Sequence, residues 1–150
     1  VSTPPLFQPP TFAAVIARDM RALPEATRRA LRPKLRAAGQ AIMRDAMGRA
    51  SWSTRIPGAM RVTTSFRQGR EGVKVTVNGR IAPHARAYED LTTRGPEFKH
   101  PVFGRKGARA MQATRPFLLP AAQAAAPTVN QMMRDALDEA AQQAQSGGQP

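Results

Sequence analysis

Two runs of sequence, "MRVTTSF" at residues 60–66 and "VKVTVNG" at 73–79, decide the fold class. In the first, Met60, Val62, Thr64 and Phe66 alternate with Arg61, Thr63, Ser65 and Arg67. In the second, Val73, Val75 and Val77 share one side. A period of two sends alternate side chains to opposite faces of an extended strand, and β-branched residues favour that state. The intervening "QGREG" carries glycines suited to a reversal, so the pair is predicted to form a β-hairpin.

Upstream of the hairpin the period becomes helical. Pro24 followed by Glu25 suits a first helical turn, because proline fits there and a carboxylate favours the positive end of the helix dipole. Leu31, Leu35, Ala38, Ile42 and Ala46 then recur at helical spacing as far as Gly48. Pro33 lies inside this pattern, and a break near Arg32 is expected, leaving a helix over about 34–48. A shorter helix is expected from Thr11, with Phe12, Val15, Ile16 and Leu23 on its apolar side. Residues 1–10 hold four prolines and suggest an extended arm. Residues 49–59, "RASWSTRIPGA", form a polar connection.

Downstream, Asn78-Gly79 signals a turn, and "RIAP" is expected to add a further strand. Residues 83–90 can make a helical turn with His84 and Tyr88 on one side. Leu91–Thr114 is polar and rich in glycine and basic residues, which suggests one long loop. A last helical segment opens at Pro116, with an apolar stripe of Val129, Met132, Met133, Ala136, Leu137 and Ala140, and a break is expected at Pro127. The expected fold is therefore α+β, with a small antiparallel sheet packed by an N-terminal and a C-terminal helix. The expected organisation is an arm at 1–10, one domain over 11–140 and a disordered tail at 141–150.

Composition narrows the function. A chain of 150 residues is long enough for one core, and with 41% apolar but only 5% aromatic residues that core must be largely aliphatic. There is no cysteine, which excludes disulfides and thiolate metal sites. No apolar run approaches the roughly 20 residues of a membrane span, and "VSTPPLFQPP" lacks the regions of a signal peptide, so a cytoplasmically made soluble protein is expected. The net charge is +13, carried mostly by arginine. Arginine binds phosphate and carboxylate bidentately, so nucleic acid is one candidate partner. GC-rich codon usage accounts for arginine over lysine but not for the excess over acids.

The segment "APHARAYED" at 82–90 and "HPVFG" at 100–104 hold both histidines, the only tyrosine and a Glu-Asp pair. In an enzyme such a set would be an active-site candidate. A metal site needs three or four converging ligands, and two histidines separated by a loop do not supply them. His84 with Glu89 could act as base and orienter, but no nucleophile accompanies them. No catalytic, metal or cofactor-binding residues are expected. The basic segment "RGPEFKHPVFGRKGAR" interleaves Arg94, Lys99, Arg105, Lys106 and Arg109 with Phe98 and Phe103. Charge with aromatics can grip nucleic acid. Buried Phe anchors beneath solvated charges, or an arm docked on a neighbouring subunit, would produce the same pattern. A subunit contact is preferred, with Phe7, Phe98, Phe103, Arg105 and Lys106 as candidates.

The order of these segments resembles the small tail-component proteins of long-tailed bacteriophages, the tail-completion or neck proteins of the head–tail junction, with an actinobacteriophage flavour. Ala82, Pro83, Tyr88 and Glu89 match an Ala-Pro-aromatic-Ala stretch leading to Glu. His100, Pro101, Val102, Phe103 and Gly104 match a Pro-containing loop. Arg115, Pro116, Phe117, Pro120 and Ala121 match an Arg-Pro-Phe-Leu-x-Pro-Ala helix start. The family usually has Gly-Thr soon after the Glu, where this chain has "EDLTT". The resemblance covers about residues 25–140 and implies a non-enzymatic virion protein, assembled in the bacterial host cytoplasm into a homo-oligomeric ring, a hexamer. Its implied partners are connector or stopper, tail terminator and tail tube, with DNA in the channel as a further neighbour. The alternative is a basic protein that binds nucleic acid non-specifically.

Overall fold

The computed structural model describes residues 23–67, 72–89 and 96–147. The fold is α+β, as the two periodicities require. Its elements are helix α1 (Glu25–Arg49), a short helix α2 (Ile56–Ala59), strands β1 (Met60–Ser65) and β2 (Gly72–Val77), and a short helix α3 (Ala85–Glu89). Strands β3 (Glu97–Pro101) and β4 (Arg109–Ala113) and the long helix α4 (Leu118–Ser146) complete the order. β1 pairs with β2 and β3 with β4, giving two separate two-stranded antiparallel sheets. Phe7, the arm at 1–10 and the helix expected from Thr11 lie outside the described residues.

By its internal contacts the chain divides into two compact units, one drawn from residues 1–39, 62–74 and 127–150 and the other from 40–61 and 75–126. In the first, Leu23, Leu31 and Leu35 form one buried cluster with Met133, Ala136 and Ala140. Phe66, Val73, Val129, Met132 and Leu137 pack against it half-buried. The stripe expected at 129–140 is thus a core face. Gly39 lets the hairpin approach α1: a Cβ there would collide with a methyl of Val73 and come within 2.7 Å of Val62 Cγ1. The Arg32 guanidinium lies 5.1 Å from the centre of the Phe66 ring, so its charge sits over a π face. In the second unit the buried positions are Ile42, Ala46, Ala50, Ile56, Ala59, Met60, Ala82, Ala85, Phe98, Phe117 and Ala121.

Several expectations are corrected. α1 starts at Glu25 but runs unbroken through Pro33. Leu31 and Leu35 on either side of Pro33 are 1% and 2% exposed, whereas Pro33 itself faces solvent. One backbone bond is lost on the wet side, where water serves the freed carbonyl, and the buried leucines keep both halves in register. α4 continues through Pro127 on the same grounds, because Pro127 is also exposed. It extends to Ser146, so residues 141–146 of the expected tail are helical. "RIAP" is a turn rather than a further strand: the Ile81 and Ala82 amides donate to the Asn78 carbonyl at 3.1 and 3.0 Å. The Asn78 side chain accepts from the Arg80 amide at 2.9 Å, closing an Asx turn.

The largest correction concerns the long loop at 91–114, most of which is a second hairpin. Glu97 pairs with Ala113, Phe98 with Gln112, Lys99 with Met111, His100 with Ala110 and Pro101 with Arg109. Its strands contain few β-branched residues, so alternation could not announce it. Among the described residues no helix is long and apolar enough to cross a membrane.

Candidate functional site

Both motifs singled out in the sequence fall in the second unit, and Tyr88 and Glu89 of the first are spent on one internal brace. α3 places Tyr88 half-buried between two rings. Trp52 lies on one side at 4.4 Å between centroids, and Phe98 meets it edge-on at 5.1 Å. His84, one turn earlier, approaches Tyr88 edge-on at 6.1 Å, and His100 lies 6.2 Å from Phe98. Arg115 lies over the outer ring, its guanidinium carbon 5.5 Å from the Trp52 centroid. Such aromatic pairs contribute about 0.5–1.5 kcal/mol each beyond the area they bury. Phe98, one of the residues considered for a subunit contact, is 7% exposed and packs within its own chain.

The Glu89 carboxylate ends the brace. Its Oε2 accepts from the Phe117 and Leu118 amides at 2.8 and 3.0 Å, and its Oε1 from the Leu119 amide at 2.6 Å. These are among the N–H groups that a starting helix leaves without partners, and the positive end of the α4 dipole favours the negative charge. Pro116 precedes the start and Pro120 sits in the first turn, where proline forfeits little. Phe117 is buried, and the Arg115 amide donates to the Tyr88 carbonyl at 3.0 Å, tying the strand exit back to α3. Pro83 is exposed just before α3 and Pro101 is exposed at the end of β3.

One pair invites a chemical reading. Ser53 Oγ lies 3.4 Å from His84 Nε2, and the same oxygen accepts from the Ile56 amide at 3.3 Å. The separation is longer than a working nucleophile–base contact, and both Glu89 oxygens are occupied by backbone amides. Glu89 is therefore not free to orient the imidazole. His100 Nδ1 lies 3.1 Å from the Pro101 carbonyl oxygen, so the two histidines serve different local contacts. Among the described residues no group of three or more His, Asp or Glu is gathered where it could hold a metal ion. Trp52 and Ser53 were not singled out by sequence reasoning. The only signal was that the single tryptophan sits inside an otherwise polar connection.

The tip of the second hairpin is different in kind. The Val102 amide donates to the Ala108 carbonyl at 3.0 Å, and the Arg105 amide to the Val102 carbonyl at 3.2 Å. Gly104 and Gly107 take the left-handed φ values +80° and +81° that the tip requires. Phe103 stands fully in solvent beside exposed Arg105 and Lys106, and Lys99, Arg109 and Met111 are exposed on the ribbon. A bare phenylalanine between cations has nothing to pack on within the described chain.

Comparison with known proteins finds no matching family model, no matching curated protein and no matching solved structure.

Proposed function

We propose that this chain is a structural virion protein of the bacteriophage head–tail connector, a tail-completion or neck component that assembles with copies of itself into a ring joining tail to head. The observation that carries this reading is how the motif residues are used. Tyr88, Glu89, Arg115 and Phe117 make the brace, and the Glu89 carboxylate is spent on three backbone amides. A site built this way holds a shape and does no chemistry, so the chain is not an enzyme on this reading. The exposed tip at Phe103, Arg105 and Lys106 leaves surface for a partner, in keeping with the expected neighbours: connector or stopper, tail terminator and tail tube.

Electron microscopy of virions carrying a tagged copy of this subunit tests the assignment. Label at the head–tail junction is the expected result, and tailed particles without label there would overturn it. The second reading, a basic protein binding nucleic acid without sequence preference, is favoured by one observation. From Phe98 to Met133 the chain has no acidic residue and the five cations Lys99, Arg105, Lys106, Arg109 and Arg115.

A further inference from the structure

We infer that the β3–β4 ribbon is a duplex-DNA contact, with Phe103 as an apolar wedge and Arg105, Lys106, Arg109 and Lys99 as phosphate clamps. Three observations combine. The ribbon is two strands wide, and its outward face (Glu97, Lys99, Pro101, Arg109, Met111 and Ala113) is exposed throughout. A two-stranded ribbon fits a DNA groove, where side chains can meet phosphates on either wall. At the tip Phe103 is completely exposed, which rules out the role of internal anchor that Phe98 fills. Proteins that grip duplexes push apolar side chains of this kind between base steps, with flanking cations on the backbone.

Electrostatics selects the occupant. Glu97, at the ribbon base, is the only acid among the described residues from Pro96 to Met133. A surface with this balance releases counterions on meeting a polyphosphate. The two glycines at φ near +80° set the bend that presents Phe103 and the cations together at one end. Sequence selectivity is not expected, because phosphate contacts carry none. This inference does not rest on the ring assignment: a neck ring need not touch DNA with this ribbon, and a DNA-gripping ribbon need not belong to a ring.

Fluorescence anisotropy with a short labelled DNA duplex, read across a salt series on the full chain, tests it. Arg105→Ala with Lys106→Ala should lower the slope of log affinity against log salt by about 2. Phe103→Ala should weaken binding about tenfold with the slope unchanged, since a wedge contributes no charge. The substituted side chains are exposed, and unchanged melting curves check that each variant is folded. Tip variants that bind the duplex as well as the parent chain would overturn the inference. Tighter binding of a single strand than of the duplex would overturn the duplex assignment. Loss of oligomers in Phe103→Ala with DNA affinity intact would make the tip a subunit contact instead.

Discussion

The two hairpins of this protein are written in different languages. The first, β1–β2, is built from alternating Val, Thr and Met, and Val73 and Phe66 lean on a leucine–methionine core in the first unit. Its strands are specified by what they bury. The second, β3–β4, has the inward pair Phe98 and His100 and an outward face entirely in solvent. It is held from outside its strands: by Tyr88 against Phe98, by glycines at the tip, and by the bond from the Thr114 amide to the Pro96 carbonyl at 2.8 Å. An isolated two-stranded ribbon is marginal in water, so the first depends on its core and the second on its brace.

Substitutions at four positions would break or sharpen that contrast. The largest effect is expected from Glu89→Ala, which strands three amides at the start of α4 and loosens the exit of the second hairpin. A loss of about 3 kcal/mol or more should follow from charge-assisted bonds of this kind, read by thermal or urea unfolding. Glu89→Gln should lose less, since an amide oxygen still accepts. A near-neutral Glu89→Ala would show that the brace is dispensable.

Gly39→Ala strikes the first hairpin instead. The added methyl runs into Val62 and Val73 together, one from each strand. A net loss of about 1–2 kcal/mol is expected, because overpacking outweighs the roughly 1 kcal/mol gain in helix propensity. Hydrogen exchange should speed up in β1 and β2 and stay unchanged in β3 and β4. A stabilised variant would mean that the valines can give way.

Gly104→Ala reverses the pattern, since a Cβ at φ +80° is strained although space is open around it. The cost should be about 1 kcal/mol, seen as faster exchange at the β3–β4 tip alone. The smallest effect belongs to Met111→Thr on the open face opposite Lys99, expected within about 0.5 kcal/mol. A larger loss there would show that something covers that face.

The same contrast explains what could be read in advance. Alternation announced the first hairpin, and a 3.6-residue period announced the Leu31–Leu35 and Met133–Ala140 faces, because burial in these elements repeats with the backbone. Pro33 and Pro127 misled because proline was weighed by its presence and not by its side of the helix. Both face solvent, where one missing donor is tolerated. The second hairpin was hidden because its stability comes from contacts outside its strands, Trp52 onto Tyr88 and Tyr88 onto Phe98, and from glycine conformations rather than strand propensity. In the brace, Tyr88, Glu89 and Phe117 were marked as structural residues. Their mutual use was not legible, since nothing local in "AYED" states that its carboxylate will start a helix at Leu118.

That carboxylate also has a consequence for how the chain is made. Acceptor and donors are separated by 28 to 30 positions, with the acceptor nearer the N-terminus. On a ribosome Glu89 therefore emerges before the amides it will hold. When Phe117, Leu118 and Leu119 leave the exit tunnel, their partner is already in solution. The first turn of the last helix can be secured at once, without waiting for the rest of the segment. Placing the cap upstream turns a long-range contact into one that closes in the order of synthesis.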